Sequence, residues 1–144
     1  NVNQENWNKT IDTNLNGTFY FNKEIIKIMI KQNYGRTIFL NSSGALNGSI
    51  GTASYTTSKS AIIGLSRTIA KEYAGFNVTS NVINLGAFNL GMFTKLDEKI
   101  KKKIIENIPS KKLGNPINIA NCINFIINSS FLNGSIIDLN GGSN

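Results

Sequence analysis

Apolar residues recur along this chain with two alternating periods, which predicts alternating strands and helices. Short β-branched and apolar runs predict strands near residues 36–41, 78–84 and 135–139. Apolar residues at steps of three to four predict helices near residues 53–74, 95–108 and 116–129, after a first long helix from about Gln4 to Gln32. Strands that alternate with helices favour a parallel sheet with right-handed crossovers.

Local signals refine the helices. In the first helix, Asn14 and Gly17 weaken the middle and are expected to kink it. Asn115 and Pro116 suit the cap and the first turn of the last helix. Residues 44–54 are mostly small and polar, which predicts a loop. The candidate packing positions of the first helix are Trp7, Ile11, Leu15, Phe19, Ile26 and Met29, and those of the helix near 53–74 are Tyr55, Ile62, Leu65, Ile69 and Tyr73.

Composition excludes several kinds of chemistry. The 144 residues suit one domain with a modest core, and no run of 18 apolar residues suggests a membrane span. The absence of histidine excludes a Ser-His-Asp triad and every histidine-ligated metal site. A single cysteine, Cys122, excludes an internal disulfide and thiolate-rich zinc, and it is expected to be a small core residue. The eight scattered carboxylates form no clear hydrolase pair, so no metal site is expected.

The most informative residues are Tyr55 and Lys59, which share one face of the helix near 53–74. A phenol is a poor acid at neutral pH, and a fixed positive charge beside it favours the phenolate. Such a group can pass a proton to or from a substrate oxygen. Chance gives about one third of a Tyr-x-x-x-Lys in a chain of this composition, so an unremarkable surface pair is the alternative.

Ser42 gives the pair its context. It lies thirteen residues before Tyr55, at the carboxyl end of the strand near 36–41, and ligands of open α/β folds bind at that edge. A serine hydroxyl there could hold the same substrate oxygen as the phenol. Ser43 is the alternative to Ser42. The arrangement suggests carbonyl and alcohol redox chemistry.

Four segments together resemble the second half of a classical short-chain dehydrogenase/reductase, in the branch that includes 3-oxoacyl-acyl-carrier-protein reductases. They are Asn14-Leu-Asn-Gly17, the stretch from Gly35 to Ser42 followed by Tyr55-x-x-x-Lys59, Asn81-Val-Ile-Asn-Leu-Gly86, and the stretch from Gly134 to Gly142. The resemblance implies an α/β fold with a three-layer, doubly wound, Rossmann-like parallel sheet. It also implies that residues 1–144 are the C-terminal catalytic portion of one such domain, without the N-terminal cofactor-binding strands.

The resemblance assigns roles to individual residues. Tyr55 is implied to be the general acid in ketone reduction and the general base in alcohol oxidation, and Lys59 to favour its phenolate and to bind the nicotinamide ribose. Ser42 is implied to orient the substrate oxygen, and Asn14 to hold a water that links Lys59 to solvent. Gly86 and Phe88 are expected to contact the cofactor together with Tyr55 and Lys59.

The chain also departs from the family pattern. Leu85 stands where the family usually has proline, and Leu90 stands near its usual threonine. The glycine-rich phosphate loop, Thr-Gly-x-x-x-Gly-x-Gly, is absent, and so is the Asn-Asn-Ala-Gly motif. Backbone N–H groups of such a loop hold the pyrophosphate of NADP or NAD, so binding of either is expected to be weak. We therefore interpret the chain as a piece of a longer polypeptide, and whether it turns over alone stays open.

The resemblance implies an NAD(P)H-dependent reductase of a ketone, foremost a 3-oxoacyl thioester in fatty acid synthesis. The alternatives are a dehydrogenase of a sugar, steroid or polyol, and a non-catalytic truncated association subunit. The expected partners are a small-molecule or acyl-carrier-linked carbonyl substrate and further copies of the chain in a homodimer or homotetramer. No partnership with nucleic acid or membrane is expected, and the cytoplasm is the expected location.

The net charge of +7 is concentrated near residues 95–112, which contain seven lysines. Leu96, Ile100, Ile104 and Ile108 recur every four residues there and are expected to form the buried side. The lysines are either a solvated helix face or a docking surface for an acidic carrier such as an acyl carrier protein. No RNA- or DNA-binding motif accompanies them. Without its N-terminal strands, the sheet would also expose the edge of the strand near 36–41 and favour aggregation.

Overall fold

The computed structural model describes residues 2–48 and 50–143, which form a parallel sheet covered by helices on both faces. The strands are β1 (Gly35–Ser42), β2 (Val78–Leu85) and β3 (Ile136–Leu139). They pair in the order β1-β2-β3, and both pairings are parallel. The predicted strands and the α/β class are confirmed, and the sheet is an incomplete Rossmann-like one.

The helices form one layer on each face of this sheet. They are α1 (Gln4–Ile11), α2 (Gly17–Lys31), α3 (Gly44–Asn47), α4 (Ala53–Glu72), α5 (Glu98–Asn107) and α6 (Pro116–Asn128). Tight 3₁₀ turns occupy Ala74–Phe76 and Gly91–Lys95. Asn115 caps α6 as predicted, because its side-chain oxygen accepts a hydrogen bond from the N–H of Ile117 at 3.0 Å.

The predicted first helix is interrupted by a π turn over Asp12–Asn16, which joins α1 to α2. The N–H of Gly17 donates to the carbonyl of Asp12, five residues back, instead of four. The side-chain amide of Asn16 also donates to the Asp12 carboxylate at 2.7 Å. The irregularity predicted from Asn14 and Gly17 is therefore a widened turn.

Two apolar cores lie on opposite faces of the sheet. On one face, Phe39, Val82 and Ile136 form an in-register row that packs against α2 and α4, through residues such as Ile26 and Ile62. On the other face, Ile83 packs with Cys122 and Ile126 of α6. Cys122 is buried, as the sequence predicted. These two cores make the architecture three-layered.

Three expectations about local structure were wrong. Residues 44–47 form the short helix α3 instead of a loop. α5 begins at Glu98, later than predicted, because the Asp97 side chain accepts from the N–H of Lys99 at 2.8 Å and caps the helix there. Ile100 is 50% exposed and Phe19 is 46% exposed, although both were expected to be packed. Phe19 lies on the same side of α2 as the buried Ile26, but it lines the open groove that α2 and α4 border.

The outer edge of β1 has no partner strand within residues 2–48 and 50–143. The N–H groups of Gly35 and Ser43 donate to carbonyls on the β2 side, those of Asn77 at 3.1 Å and Leu85 at 2.9 Å. Because backbone polar groups alternate in direction along a strand, those of the even-numbered residues, such as Ile38 and Leu40, point away from β2. This edge is open to another strand.

We predict that Leu40→Pro slows aggregation of the 144-residue chain, measured as light scattering over time at raised concentration. Proline removes an N–H that points to the open edge, so the β1–β2 ladder keeps its hydrogen bonds. Thr37→Pro is the matched control, because its N–H points to β2 and its loss should destabilise the fold by about 3 kcal/mol. Equal scattering from the wild-type chain and Leu40→Pro would show that the edge does not drive association.

Candidate active site

Lys59 connects helix α4 to the end of strand β1. Its ammonium Nζ donates a hydrogen bond to the carbonyl oxygen of Leu40 at 2.9 Å. Leu40 lies two residues before Ser42, so this bond places the head of Lys59 beside the carboxyl end of β1. Tyr55 lies one helical turn before Lys59, in the first turn of α4, and is 37% exposed. The structure thus brings the elements of the predicted pair and of the serine to one end of the sheet.

The surroundings of Lys59 change the pKa of its ammonium group. Removal of water around the half-buried ammonium lowers the pKa of Lys59 from its ordinary value of 10.5, because burial disfavours the charged form. The Leu40 carbonyl that compensates it belongs to the open edge of β1. The lysine is therefore held by a backbone dipole and not by a carboxylate.

Ser42 and Ser43 have different hydrogen-bonding roles. Ser43 is buried, and both its N–H and its hydroxyl donate to the carbonyl of Leu85, at 2.9 and 3.3 Å. Within the described part of the chain, the Ser42 hydroxyl has no hydrogen-bond partner and is only partly buried. Ser43 thus links β1 to β2. The Ser42 hydroxyl is left to donate a hydrogen bond to a ligand oxygen. This favours Ser42 of the two, and its catalytic role stays a prediction.

Asn14 reaches the same helix from the π turn. Its side-chain Nδ2 donates to the hydroxyl of Ser58 at 3.1 Å, and that hydroxyl donates to the carbonyl of Tyr55 at 2.8 Å. Ser58 is fully buried and directly precedes Lys59. Asn14 is therefore anchored between the predicted acid and the predicted lysine. The sequence placed Asn14 near Lys59 only by resemblance, and it did not indicate Ser58.

A polar row that sequence reasoning missed crosses the sheet below these residues. Asn41, Asn84 and Asp138 are in register across the three strands, one step beyond the row of Phe39 and Val82. The Asn84 amide donates to the Asp138 carboxylate at 2.6 Å. Asn41, only 4% exposed, has no hydrogen-bond partner among the described residues for either amide atom, and neither has Oδ1 of Asn84. Each unpaired buried group lowers the stability of the fold by about 1–3 kcal/mol. The polar row is therefore destabilising, but it gives the sheet polar side chains next to the candidate site.

The loop after β2 holds the predicted cofactor residues Gly86 and Phe88. The N–H of Gly86 donates to Leu139 at 2.9 Å, and a Cβ at Gly86 would lie 2.6 Å from the Cα of Asn140, so only glycine fits. Phe88 is buried and packs its ring against Gly114. No described contact joins either residue to Tyr55 or Lys59, and their cofactor role stays a prediction.

The structure places the two residues that depart from the family pattern. Leu85, in the place of proline, is the last residue of β2, and its carbonyl accepts both bonds from Ser43, an acceptor that a proline backbone would also provide. Leu90 is largely exposed, and its N–H donates to the Phe88 carbonyl at 2.7 Å. The side chain of Leu90 can give no hydrogen bond to a carboxamide, so any such bond would have to come from the backbone of this loop.

No three metal-ligating side chains among the described residues come close enough to hold an ion together. Likewise, none of the helices in residues 2–48 and 50–143 has the length and apolar character that a membrane crossing requires.

Comparison with known proteins identifies the class of this fold. The family model described as enoyl-(acyl carrier protein) reductase matches residues 1–144. The 3-oxoacyl-[acyl-carrier-protein] reductase FabG of Aquifex aeolicus is 35% identical over 138 residues, which cover 94% of this chain and 56% of the relative. MabA, the enzyme of the same description from Mycobacterium tuberculosis, is 33% identical over 141 residues, covering 96% of this chain and 57% of the relative.

The chain belongs to the short-chain dehydrogenase/reductase family, as its four motif segments implied. FabG of Rickettsia felis adds a third relative, 35% identical over 140 residues, with 96% of this chain and 58% of that protein covered. The chain spans little more than half the length of the curated relatives it matches. The names of these relatives describe those proteins only.

We predict that the stability advantage of the wild-type chain over Lys59→Met grows as the pH rises from about 7 toward about 10.5. The pKa of Lys59 is lower in the folded chain than in the unfolded one, so in this window the unfolded chain binds more protons. Stability must therefore increase with pH through this group. Chemical denaturation at several pH values measures the difference in unfolding free energy.

The exposed Lys71 of the same helix gives the matched control. Lys71→Met should leave the pH dependence of the wild-type chain unchanged. A difference between wild type and Lys59→Met that stays constant or falls with pH would contradict the burial of the Lys59 ammonium.

Proposed function

We propose that the protein containing this chain is an NAD(P)H-dependent oxidoreductase that reduces a ketone to an alcohol, foremost a 3-oxoacyl thioester in fatty acid synthesis. One observation carries the proposal. The Lys59 ammonium lies at the end of β1, one turn from a partly exposed Tyr55. It is bonded two residues before Ser42, whose hydroxyl has no hydrogen-bond partner in the described part of the chain. The substrate named for its relatives, a 3-oxoacyl group on acyl carrier protein, supports the substrate class.

The residues present fit the nicotinamide end of a dinucleotide. Lys59 offers an ammonium donor, and Tyr55 and Ser42 offer hydroxyls at the sheet edge where α/β folds bind ligands. When bound, NADP or NAD in its reduced form supplies the hydride. A glycine-rich phosphate loop is absent from the sequence, so its phosphates would need groups outside these residues.

Tyr55 and Ser42 carry the protein's part of the reduction. The ketone carbon gains the hydride, its oxygen becomes negative, and the Tyr55 hydroxyl transfers its proton to that oxygen. The Ser42 hydroxyl donates a hydrogen bond to the same oxygen and stabilises its developing charge. Lys59 favours the phenolate that Tyr55 leaves behind, and Asn14, through Ser58, holds the helix turn that carries both.

The family model and the relatives differ in the bond that is reduced. The family model is described as an enoyl reductase, which acts on a carbon–carbon double bond, and the relatives are 3-oxoacyl reductases, which act on a carbonyl. The hydroxyls of Ser42 and Tyr55 favour reduction of the carbonyl over reduction of the double bond, because both can donate hydrogen bonds to an oxygen that gains negative charge. The single buried cysteine fits a reducing compartment, and we place the reaction in the cytoplasm.

We predict that Tyr55→Phe in the complete protein lowers kcat for reduction of a small 3-oxoacyl thioester by about 10²- to 10⁴-fold, because the general acid is lost. NAD(P)H absorbance measures the rate, and binding of substrate should change little. Tyr34→Phe, at an exposed residue between α2 and β1, is the control with the same atomic change. Unchanged kcat in Tyr55→Phe, or faster reduction of a 2-enoyl thioester by the wild type, would overturn the assignment.

We further propose that the protein forms a homodimer or homotetramer through α2 and α4. The two helices border a largely apolar groove of about 410 Å³, lined by Phe19, Ile26, Ile30, Leu65 and Tyr73 among others. Phe19 contacts Tyr20 edge to face, and both rings are exposed. An exposed aromatic patch along an apolar groove fits burial against a second copy.

Phe19→Lys in the complete protein should lower the molar mass measured by light scattering to that of a smaller assembly, because it puts a charge on the groove. Phe131→Lys is the control, since Phe131 is fully exposed and does not line this groove. If the two variants have the same mass as the wild type, this groove is not the contact surface.

A further inference from the structure

Asparagine is followed directly by glycine at four places in this chain, Asn16, Asn47, Asn133 and Asn140. In such a pair the backbone nitrogen of the glycine can attack the side-chain amide carbon of the asparagine, because glycine has no Cβ to hinder the approach. The attack requires a backbone that can move and an amide that no hydrogen bond holds in place. The structure separates the four pairs by these two requirements.

Two of the pairs are held by short-range hydrogen bonds. The Asn16 amide donates to the Asp12 carboxylate at 2.7 Å, and the N–H of Gly17, the nitrogen that would attack, donates to the Asp12 carbonyl. Asn140 is only 8% exposed, and its side-chain oxygen accepts from the N–H of Gly142 at 3.0 Å. Neither side chain is free to meet the nitrogen that follows it.

The pair at Asn133 is held from both sides. Its side-chain amide donates to the carbonyl of Ala70 at 2.9 Å, and its side-chain oxygen accepts from the N–H of Ser80 at 2.8 Å. The N–H of Gly134 donates to the carbonyl of Ser80 at 2.8 Å. Reaction here would first have to break three hydrogen bonds to α4 and β2.

Asn47 differs from the other three asparagines. It is the last residue of the one-turn helix α3, it is exposed, and its side chain forms no hydrogen bond with any residue that the structure describes. Gly48 is also exposed and has a φ of 68°, and a Cβ built on it would meet no atom within 4 Å. Because a helix of one turn has few hydrogen bonds to lose, the backbone here opens more easily than at the other pairs.

We propose that Asn47 is a site of spontaneous deamidation, which converts it into aspartate and isoaspartate. The Gly48 nitrogen forms a bond to Cγ of Asn47 and gives up its proton, and the Cγ–Nδ2 bond breaks to release ammonia. Water then hydrolyses one of the two C–N bonds of the cyclic imide. Cleavage at Cγ leaves aspartate, and cleavage at the main-chain carbonyl leaves isoaspartate, in which the backbone runs through Cβ and Cγ.

The modification changes the charge of the segment that connects Ser42 to Tyr55, the two hydroxyl-bearing residues of the candidate site. Residues 43–52 contain no acidic or basic side chain. Either product adds a carboxylate, which is ionised at neutral pH and lowers the formal net charge of +7 by one. Deamidation would thus introduce the first charge into a neutral segment beside the site.

Peptide mapping by mass spectrometry, after incubation of the complete protein in neutral and mildly alkaline buffer, measures the conversion of each asparagine. We expect conversion of Asn47 to be about tenfold or more faster than that of Asn16, Asn133 or Asn140, because reaction at a transiently opened site follows the population of its open form. The rate at Asn47 should rise with pH, since the attacking nitrogen must lose its proton. Equal rates at the four asparagines, or slower conversion of Asn47, would overturn the proposal.

The same measurement on protein unfolded in guanidinium chloride is the matched control. Without their hydrogen bonds, the three protected asparagines should convert within about threefold of Asn47, since all four are followed by glycine. A difference that persists in the unfolded protein would show that neighbouring sequence sets the rates, and it would overturn the structural assignment.

Asn47→Gln identifies the reacting residue. Trypsin leaves Asn41 and Asn47 in one peptide, residues 37–59, and Asn41 is followed by serine. Glutamine must close a larger ring, so this peptide should keep its mass in the variant over the time in which the wild-type peptide changes. Continued conversion in Asn47→Gln would assign the change to Asn41. Mass is the readout throughout, so the outcome is independent of the proposed reductase activity.

Discussion

The hydrogen bond between Lys59 and the Leu40 carbonyl is the interaction on which the candidate site depends. It joins α4 to the end of β1. Ser43, which bonds to Leu85 of β2, follows that end of β1, and the π turn contacts α4 one residue before Lys59, through the bond from Asn14 to Ser58. The helix is fixed by Ile62 and Ile69, which lie in the core beneath it. A charged head can be kept half-buried there only because the rest of α4 is anchored by apolar contacts.

The sheet changes character along its strands. The row of Phe39, Val82 and Ile136 is apolar, and the next row on the same face holds two asparagines and an aspartate. Buried amides without partners are costly, so the apolar row and its opposite, around Ile83, must supply the stability. The carboxyl ends of the strands therefore carry polar side chains where a ligand would bind, and the apolar residues before them stabilise the fold.

Much of this organisation could be predicted from sequence. Each strand begins and ends within two residues of its predicted bounds, because β-branched runs bounded by glycine and asparagine have few alternatives. Tyr55 and Lys59 could be paired because helical spacing alone relates them. Ser42 could be placed at the same end because parallel strands share a direction.

Other features depend on contacts that no local pattern specifies. The π turn exists because the Gly17 N–H donates to Asp12 and not to the residue one step later. The polar row needs the register between strands that are far apart in sequence, 54 residues apart for Asn84 and Asp138. The exposure of Ile100 was missed because a periodic pattern shows which residues share a face and not whether another element covers that face.

The π turn has a consequence for the whole first layer. By holding one more residue than an α-helical turn, it advances everything after it by about 100° around the axis. The facing of α2, with Ile26 turned to the core and Ile28 turned outward, is thus set by a single additional residue upstream. Deletion of one residue in the turn would rotate α2 by about 100° relative to α1 and carry Ile26 away from the core, although the sequence of α2 would be unchanged.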